Sequence, residues 1–145
     1  MRAEIYESEI YQEHLAKQRG IVAYESLWLS GLTYRCDFLQ KRYTWQEAKA
    51  YISELNKKTS HRWRFPTLRE LERLLTPAPH QNLRGDRHHI IKRFVDFMPQ
   101  ESLFWSATEE NSMGAWVVDF SQGYYCVRDK STQQYLIVVS DSKIA

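Results

Sequence analysis

Residues 43–75 read YTWQEAKAYISELNKKTSHRWRFPTLRELERLL, and their reading decides how the rest of the chain is organised. Thr44 is followed three positions later by Glu47, and Thr67 by Glu70. Each pair has the spacing of a capping box, in which a threonine hydroxyl and a glutamate carboxylate satisfy each other's backbone N–H at a helix start. Between the two starts lies the turn Trp63-Arg64-Phe65-Pro66, and the proline bars a helix from running through it. The first helix is predicted over 44–56, with Trp45, Ala48, Ile52 and Leu55 as its apolar stripe and Glu47, Lys49, Glu54 and Lys57 toward water. The second is predicted over 67–75, with Leu68, Leu71, Leu74 and Leu75 on its core face.

On the N-terminal side, residues 21–38 (IVAYESLWLSGLTYRCDF) alternate around a Ser30-Gly31 turn and predict two short strands. Residues 3–19 have loosely helical apolar spacing, acidic residues early, and Lys17 and Arg19 late, as a helix dipole prefers; Gly20 supplies a stop. This N-terminal helix is expected either to lie against the domain or to dock a partner.

On the C-terminal side, Pro77 and Pro79 are expected to end regular structure, leaving 76–101 as a long irregular connection with a short helical turn at 90–97. A connection of that length within a compact domain tends to carry function. After Pro99 the period changes to two, and SLFWSAT, AWVVDF, YYCVRD and QQYLIVVS read as strands of an antiparallel meander separated by EENSMG, SQG and KSTQ. The expected organisation is an α+β domain over 21–145 preceded by a helical extension over 1–20.

With 145 residues, 43% of them hydrophobic and 14% aromatic, the chain can bury one real core without metals or disulfides. A formal charge of +2 does not mark a nucleic-acid binder. No stretch is long and apolar enough to span a bilayer, and the acidic N-terminus lacks the apolar run of a signal peptide. The expected location is therefore cytoplasmic as encoded, with leaderless export or a phage particle as other routes. The only cysteines, Cys36 and Cys126, lack the paired spacing of a zinc or thioredoxin-like motif.

GLTYRC (31–36), YTWQEAKAYISELN (43–56), WRFPTLRELERLL (63–75), FWSAT (104–108) and AWVVDFSQG (115–123) resemble, in order and spacing, the successive blocks of the Lcl C-terminal-type domain family. The resemblance covers residues 21–141. It implies a C-type-lectin-like fold with two helices packed around a small twisted antiparallel sheet. It also implies a non-catalytic binding module, as in adhesins whose members bind sulfated or other polysaccharides or host proteins. Trp45, Trp63, Arg64, Pro66, Thr67, Glu70, Leu71, Trp105, Ser106, Trp116 and Asp119 then read as fold determinants. Many members carry a cysteine in the last strand, where this chain has LIVVSD; Cys126 is the one remaining partner for Cys36.

The strongest site candidate is the basic run His80, Arg84, Arg87, His88, His89, Lys92 and Arg93, where arginine-rich charge would grip a sulfated glycan, a phosphate or an acidic protein surface. Its alternative is a solvated loop. Arg84-Gly85-Asp86 spells an adhesion tripeptide that three residues often produce by chance. His88-His89 with His80 form no recognised metal spacing and read as surface histidines. Glu109, Glu110, Asn111 and Asp119 offer oxygen ligands for calcium, but read more simply as a polar turn. Tyr124 and Tyr125 cannot both face inward on a regular strand, so one of them is a surface contact candidate. No catalytic residue and no cofactor is expected: there is no G-x-S-x-G, no phosphate loop and no paired carboxylates. Binding is expected through 77–101 and the neighbouring 109–114 and 129–134 turns, with a glycan or protein partner. The alternative is an intracellular structural or regulatory subunit that docks through 3–19.

Overall fold

The structure is a computed structural model that describes residues 24–37 and 40–143. The expected helix over 3–19 lies outside the described residues.

The described chain is mostly β. In chain order it forms strands β1 (Tyr24–Leu29) and β2 (Leu32–Asp37), helices α1 (Trp45–Lys58) and α2 (Leu68–Glu72), strands β3 (Leu75–Gln81) and β4 (Arg87–Ile90), and a 3-10 helix at Lys92–Phe97. Strands β5 (Leu103–Glu109), β6 (Gly114–Asp119), β7 (Tyr124–Asp129) and β8 (Val138–Ser140) follow. They make three antiparallel sheets with orders β1-β2-β8, β3-β4 and β5-β6-β7. This overturns the expected α+β, C-type-lectin-like arrangement of two helices around one sheet.

Two sequence features account for the difference. Helix α2 is only five residues long. It ends because Leu74 N–H donates to the Leu71 carbonyl in a tightened last turn and Leu75 already pairs with Ile90. The prolines do not abolish regular structure afterwards. Strand β3 has a single neighbour, and the register shifts between Leu75 and His80, so Pro77 and Pro79 fall where the ladder is interrupted. Proline is tolerated at such edge positions and bulges. Much of the expected irregular connection is therefore a hairpin.

Both capping boxes form. Thr44 Oγ1 accepts from Glu47 N at 3.2 Å, and Glu47 Oε1 accepts from Thr44 N at 2.8 Å. Thr67 and Glu70 repeat this at 3.2 and 2.9 Å. Asn56 then clamps the turn between the helices, donating to the Trp63 carbonyl and accepting from Trp63 N–H, both at 2.8 Å. The next residue, Arg64, bridges Val139 through its backbone at 2.7 and 3.0 Å, which joins the turn to the first sheet. Its guanidinium takes Glu70 through two bonds of 2.8 Å and Asp141 through bonds of 3.0 and 3.1 Å.

The core has two parts. One packs Leu32, Tyr34 and Cys36 of β2 against Leu71, Phe94, Phe104 and Phe120; the other packs α1 and Trp63 against Trp105, Ala115 and Val117. The 136–139 segment separates them. Ile137 and Val139 face the first cluster, and Leu136 and Val138 face the second. That is why LIVV shows no polar alternation: both faces are buried.

Glu70 serves cap and ion pair at once, and the Arg64 guanidinium, ahead of the Thr67 N–H, holds its carboxyl below the usual glutamate range. Its contribution is present above the ordinary glutamate value and is lost as pH falls through the lowered folded value. Glu70→Ala is expected to lower the unfolding free energy by about 1–3 kcal/mol in urea titrations at neutral pH. Glu70→Gln, which keeps a capping acceptor, should lose less. Coincident curves for Glu70→Ala and the unaltered chain would contradict this role.

Candidate functional site

The β3–β4 hairpin does not gather the basic run into one patch. Arg84 sits in its turn, donates to the Met98 carbonyl and lies 3.5 Å from Asp86. Asn82 Oδ1 fixes the same turn by accepting from Arg84 N and Asp86 N at 3.0 and 2.9 Å, with Gly85 at a φ of 91°. The Arg84-Gly85-Asp86 tripeptide is thus tied back on itself. Arg93 pairs with Glu25 at 3.5 Å. Arg87 and Lys92 are exposed and make no ion pair among the described residues.

The histidines turn away from solvent chemistry. His80 is half-buried, and the His89 ring lies against Gly123 with Nδ1 3.1 Å from the Thr76 carbonyl oxygen. His88 is 1% exposed, with Nδ1 2.8 Å from Ser102 Oγ and a buried Nε2 that has no partner. This corrects the reading of His88 as a surface ligand contact. On β4 it faces inward because its neighbours Arg87 and His89 take the other face.

The calcium candidates are engaged elsewhere. Glu109 pairs with Lys130, and Asn111 Oδ1 accepts from the N–H groups of Met113 and Gly114 at 2.8 and 2.9 Å. Glu110 is exposed and uses its backbone N–H to close the same turn on the Gly114 carbonyl. Asp119 is 5% exposed and caps the β6–β7 turn by accepting from Ser121 N and Gln122 N. Among the described residues, no cluster of three or more His, Cys, Asp or Glu could hold a metal ion.

Tyr124 and Tyr125 are 49% and 46% exposed. Adjacent on β7, they project from opposite faces, so both faces of the strand are open to solvent at its start. Tyr125 also packs edge-on against Trp116, with ring centroids 5.7 Å apart.

A polar cleft of about 420 Å³ opens where the chain crosses from β7 back to β5. Arg42, Glu101, Arg128, Thr132, Gln133 and Gln134 line it, with Leu103 and Tyr135 at its base. Backbone bonds hold it open. Tyr43 and Gln134 exchange bonds of 2.7 and 2.8 Å, which sets Arg42 at one wall, and Tyr135 N–H donates to the Leu103 carbonyl at 2.9 Å. Arg128 Nη1 lies 3.0 Å from Cys126 Sγ, and Gln134 Nε2 donates to Thr132 Oγ1 at 3.1 Å. Neither Arg42 nor Arg128 has a carboxylate partner among the described residues. By strand alternation, Tyr124 shares a face of β7 with Cys126 and Arg128.

The sequence profile of the Lcl C-terminal domain matches residues 25–140, which is most of the chain. The chain belongs to that family. A comparison with curated proteins finds no match. Within this Lcl C-terminal domain, the residues of the shared motif have structural work. Trp45 Nε1 donates to the Ser106 carbonyl at 2.9 Å, Trp105 Nε1 to the Tyr43 carbonyl at 2.7 Å, and Ser106 Oγ to the Trp116 carbonyl at 2.7 Å. Both cysteines are free, Cys36 buried in the first core cluster and Cys126 packed at the edge of the second. The disulfide suggested by the resemblance does not form.

The 129–134 turn was expected to take part in binding; that Arg42 and Arg128 line one cleft with it was not read from the sequence. Their separation in sequence hides it, and the Tyr43–Gln134 bridge creates it.

Burial pushes the His88 imidazole below its ordinary value, with the nearby carboxylates of Asp86 and Asp119 opposing and Arg84 and His89 assisting. The unfolded chain then binds the proton better, so stability is full above about pH 6.5 and declines as pH falls below it. The free energy of unfolding in urea is expected to fall as pH drops below about 6.5, by at most ~1.4 kcal/mol per pH unit from this group. His88→Gln should flatten that limb; an unchanged slope would contradict the assignment.

Proposed function

We propose that this domain is a non-catalytic binding module for an anionic glycan, seated in the Arg42–Arg128 cleft rather than across the 77–101 hairpin. The observation that carries this reading is the pair of arginines without carboxylate partners facing one polar concavity. Guanidinium groups bind sulfate and carboxylate in bidentate fashion, and the two arginines outnumber Glu101, the one carboxylate in the cleft lining, with neither ion-paired to it. Thr132, Gln133 and Gln134 add donors and acceptors suited to sugar hydroxyls. Tyr124, exposed and on the same face of β7 as Arg128, supplies a ring for a sugar face.

The family resemblance implies sulfated or other polysaccharides or host proteins as ligands, and an anionic glycan is among these. The hairpin fits it less well, since Arg84 and Arg93 are already paired and His88 is buried.

Chromatography of the full chain on immobilised heparin beside a neutral resin tests the proposal. Retention on heparin above that on the neutral resin is expected, with elution by a salt gradient, because exposed charge pairing is screened by ions. Arg42→Ala with Arg128→Ala should elute at much lower salt, whereas Arg84→Ala, Arg87→Ala and Arg93→Ala together should change elution little. The reverse pattern would move the site to the hairpin, and flow-through of the unaltered chain at low salt would remove the polyanion reading.

A further inference from the structure

The cleft is not uniformly cationic. Glu101 lines it together with Arg42 and Arg128, so two guanidinium groups share the lining with one carboxylate. Glu101 is exposed and makes no ion pair and no side-chain hydrogen bond among the described residues, which leaves both of its oxygens as unused acceptors. Gln134 adds another. The Thr132 hydroxyl donates to the Asp129 carbonyl at 2.6 Å, so its oxygen can only accept from Gln134, whose Nε2 is 3.1 Å away. That fixes the Gln134 amide and leaves its Oε1 without a partner among the described residues. Arg128 is partly committed, with Nη1 3.0 Å from Cys126 Sγ and donating to the Val127 carbonyl at 3.2 Å. The Arg42 guanidinium has no such bond among the described residues.

A ligand that fills this cleft has to bring two kinds of group. One is an anion for the guanidiniums, and the other is a set of O–H or N–H donors for Glu101 and Gln134. Free sugar hydroxyls satisfy the second need. A sulfate ester does not, because it has no hydrogen to give, and a further anion set against Glu101 meets like charge. The same carboxylate therefore attracts a hydroxyl-rich unit and works against a densely sulfated one, which is how a site discriminates between ligands of one class. Size acts in the same direction. At about 420 Å³ the cleft is near the small end of ligand pockets, roughly 300–1,000 Å³, and takes a short piece of a chain rather than a long run of charges.

We propose, resting on the seating of the glycan in this cleft, that the unit selected is a sparsely charged one, a uronic acid with unesterified hydroxyls, and that Glu101 is the specificity-determining residue. Arg42 and the free part of Arg128 hold the single anionic group. Glu101 and Gln134 accept from the hydroxyls beside it. Densely sulfated chains still bind through the arginines, but against the charge of Glu101.

Isothermal titration calorimetry of the full chain at fixed ionic strength tests this with two probes of equal length. One is an unsulfated hyaluronan hexasaccharide, whose repeating unit carries one carboxylate and free hydroxyls; the other is a heparin-derived hexasaccharide. Glu101→Gln is expected to shift the ratio of the two affinities several-fold toward heparin. A general loss of folding would weaken both probes alike and leave the ratio where it was. Glu72→Gln, which removes the same charge from α2 outside the cleft lining, should not move it. A ratio unmoved by Glu101→Gln, or moved equally by Glu72→Gln, would overturn the role of Glu101 while leaving the glycan seat standing. Binding of neither probe would remove the seat itself and the selectivity with it.

Discussion

Arg64 joins three parts of the molecule that no other residue connects so directly. Its backbone pairs with Val139, its guanidinium grips Glu70 at the start of α2, and the same guanidinium holds Asp141 just beyond β8. The helix start, the last strand and the turn after α1 are thereby fixed relative to one another. A half-exposed ion pair alone adds little stability. Here the pair is bidentate, shares a carboxylate with a capping box, and is anchored by two backbone bonds, so losing one partner disturbs several bonds at once.

The placement of the two core clusters follows from that junction. Segment 136–139 runs between them with alternate residues on each side, and Trp63 and α1 are held over one face because the turn is pinned to Val139. The reciprocal indole bonds of Trp45 and Trp105 to the carbonyls of Ser106 and Tyr43 then lace α1 to β5. The same lacing leads to the cleft. Tyr43 pairs with Gln134, and the crossing from β7 to β5 is held far enough from the sheet for a polar cavity to open beneath it.

Local signals in the sequence were legible where one short stretch holds all the partners. Thr44 with Glu47, Thr67 with Glu70, and the period-two runs over 102–129 each led to the observed element. By contrast QQYLIVVS, expected as the last strand of the same meander, is a strand only over Val138–Ser140 and pairs with β2 instead. Expectation failed where tertiary context overrode the local reading. Pro77 and Pro79 look like breakers, but an edge strand with a shifted register accommodates them, which turns an expected α+β fold into a mostly β one. Leu74 and Leu75 continue a helical period yet belong to a tight turn and a strand start. His88 reads as a surface cation and is buried, because the strand that carries it was not expected. The cleft drew on residues far apart in sequence, and nothing local announces that Arg42 and Arg128 meet.

The cleft lined by Arg42, Arg128 and Glu101 is the proposed seat of the anionic glycan. Amide chemical shifts of the full-length, isotope-labelled protein, followed during titration with a heparin-derived tetrasaccharide, address it residue by residue. The account predicts saturating shifts at Arg42, Arg128 and 132–135 with little change over 84–93. Shifts concentrated over 84–93 with a silent cleft would contradict it.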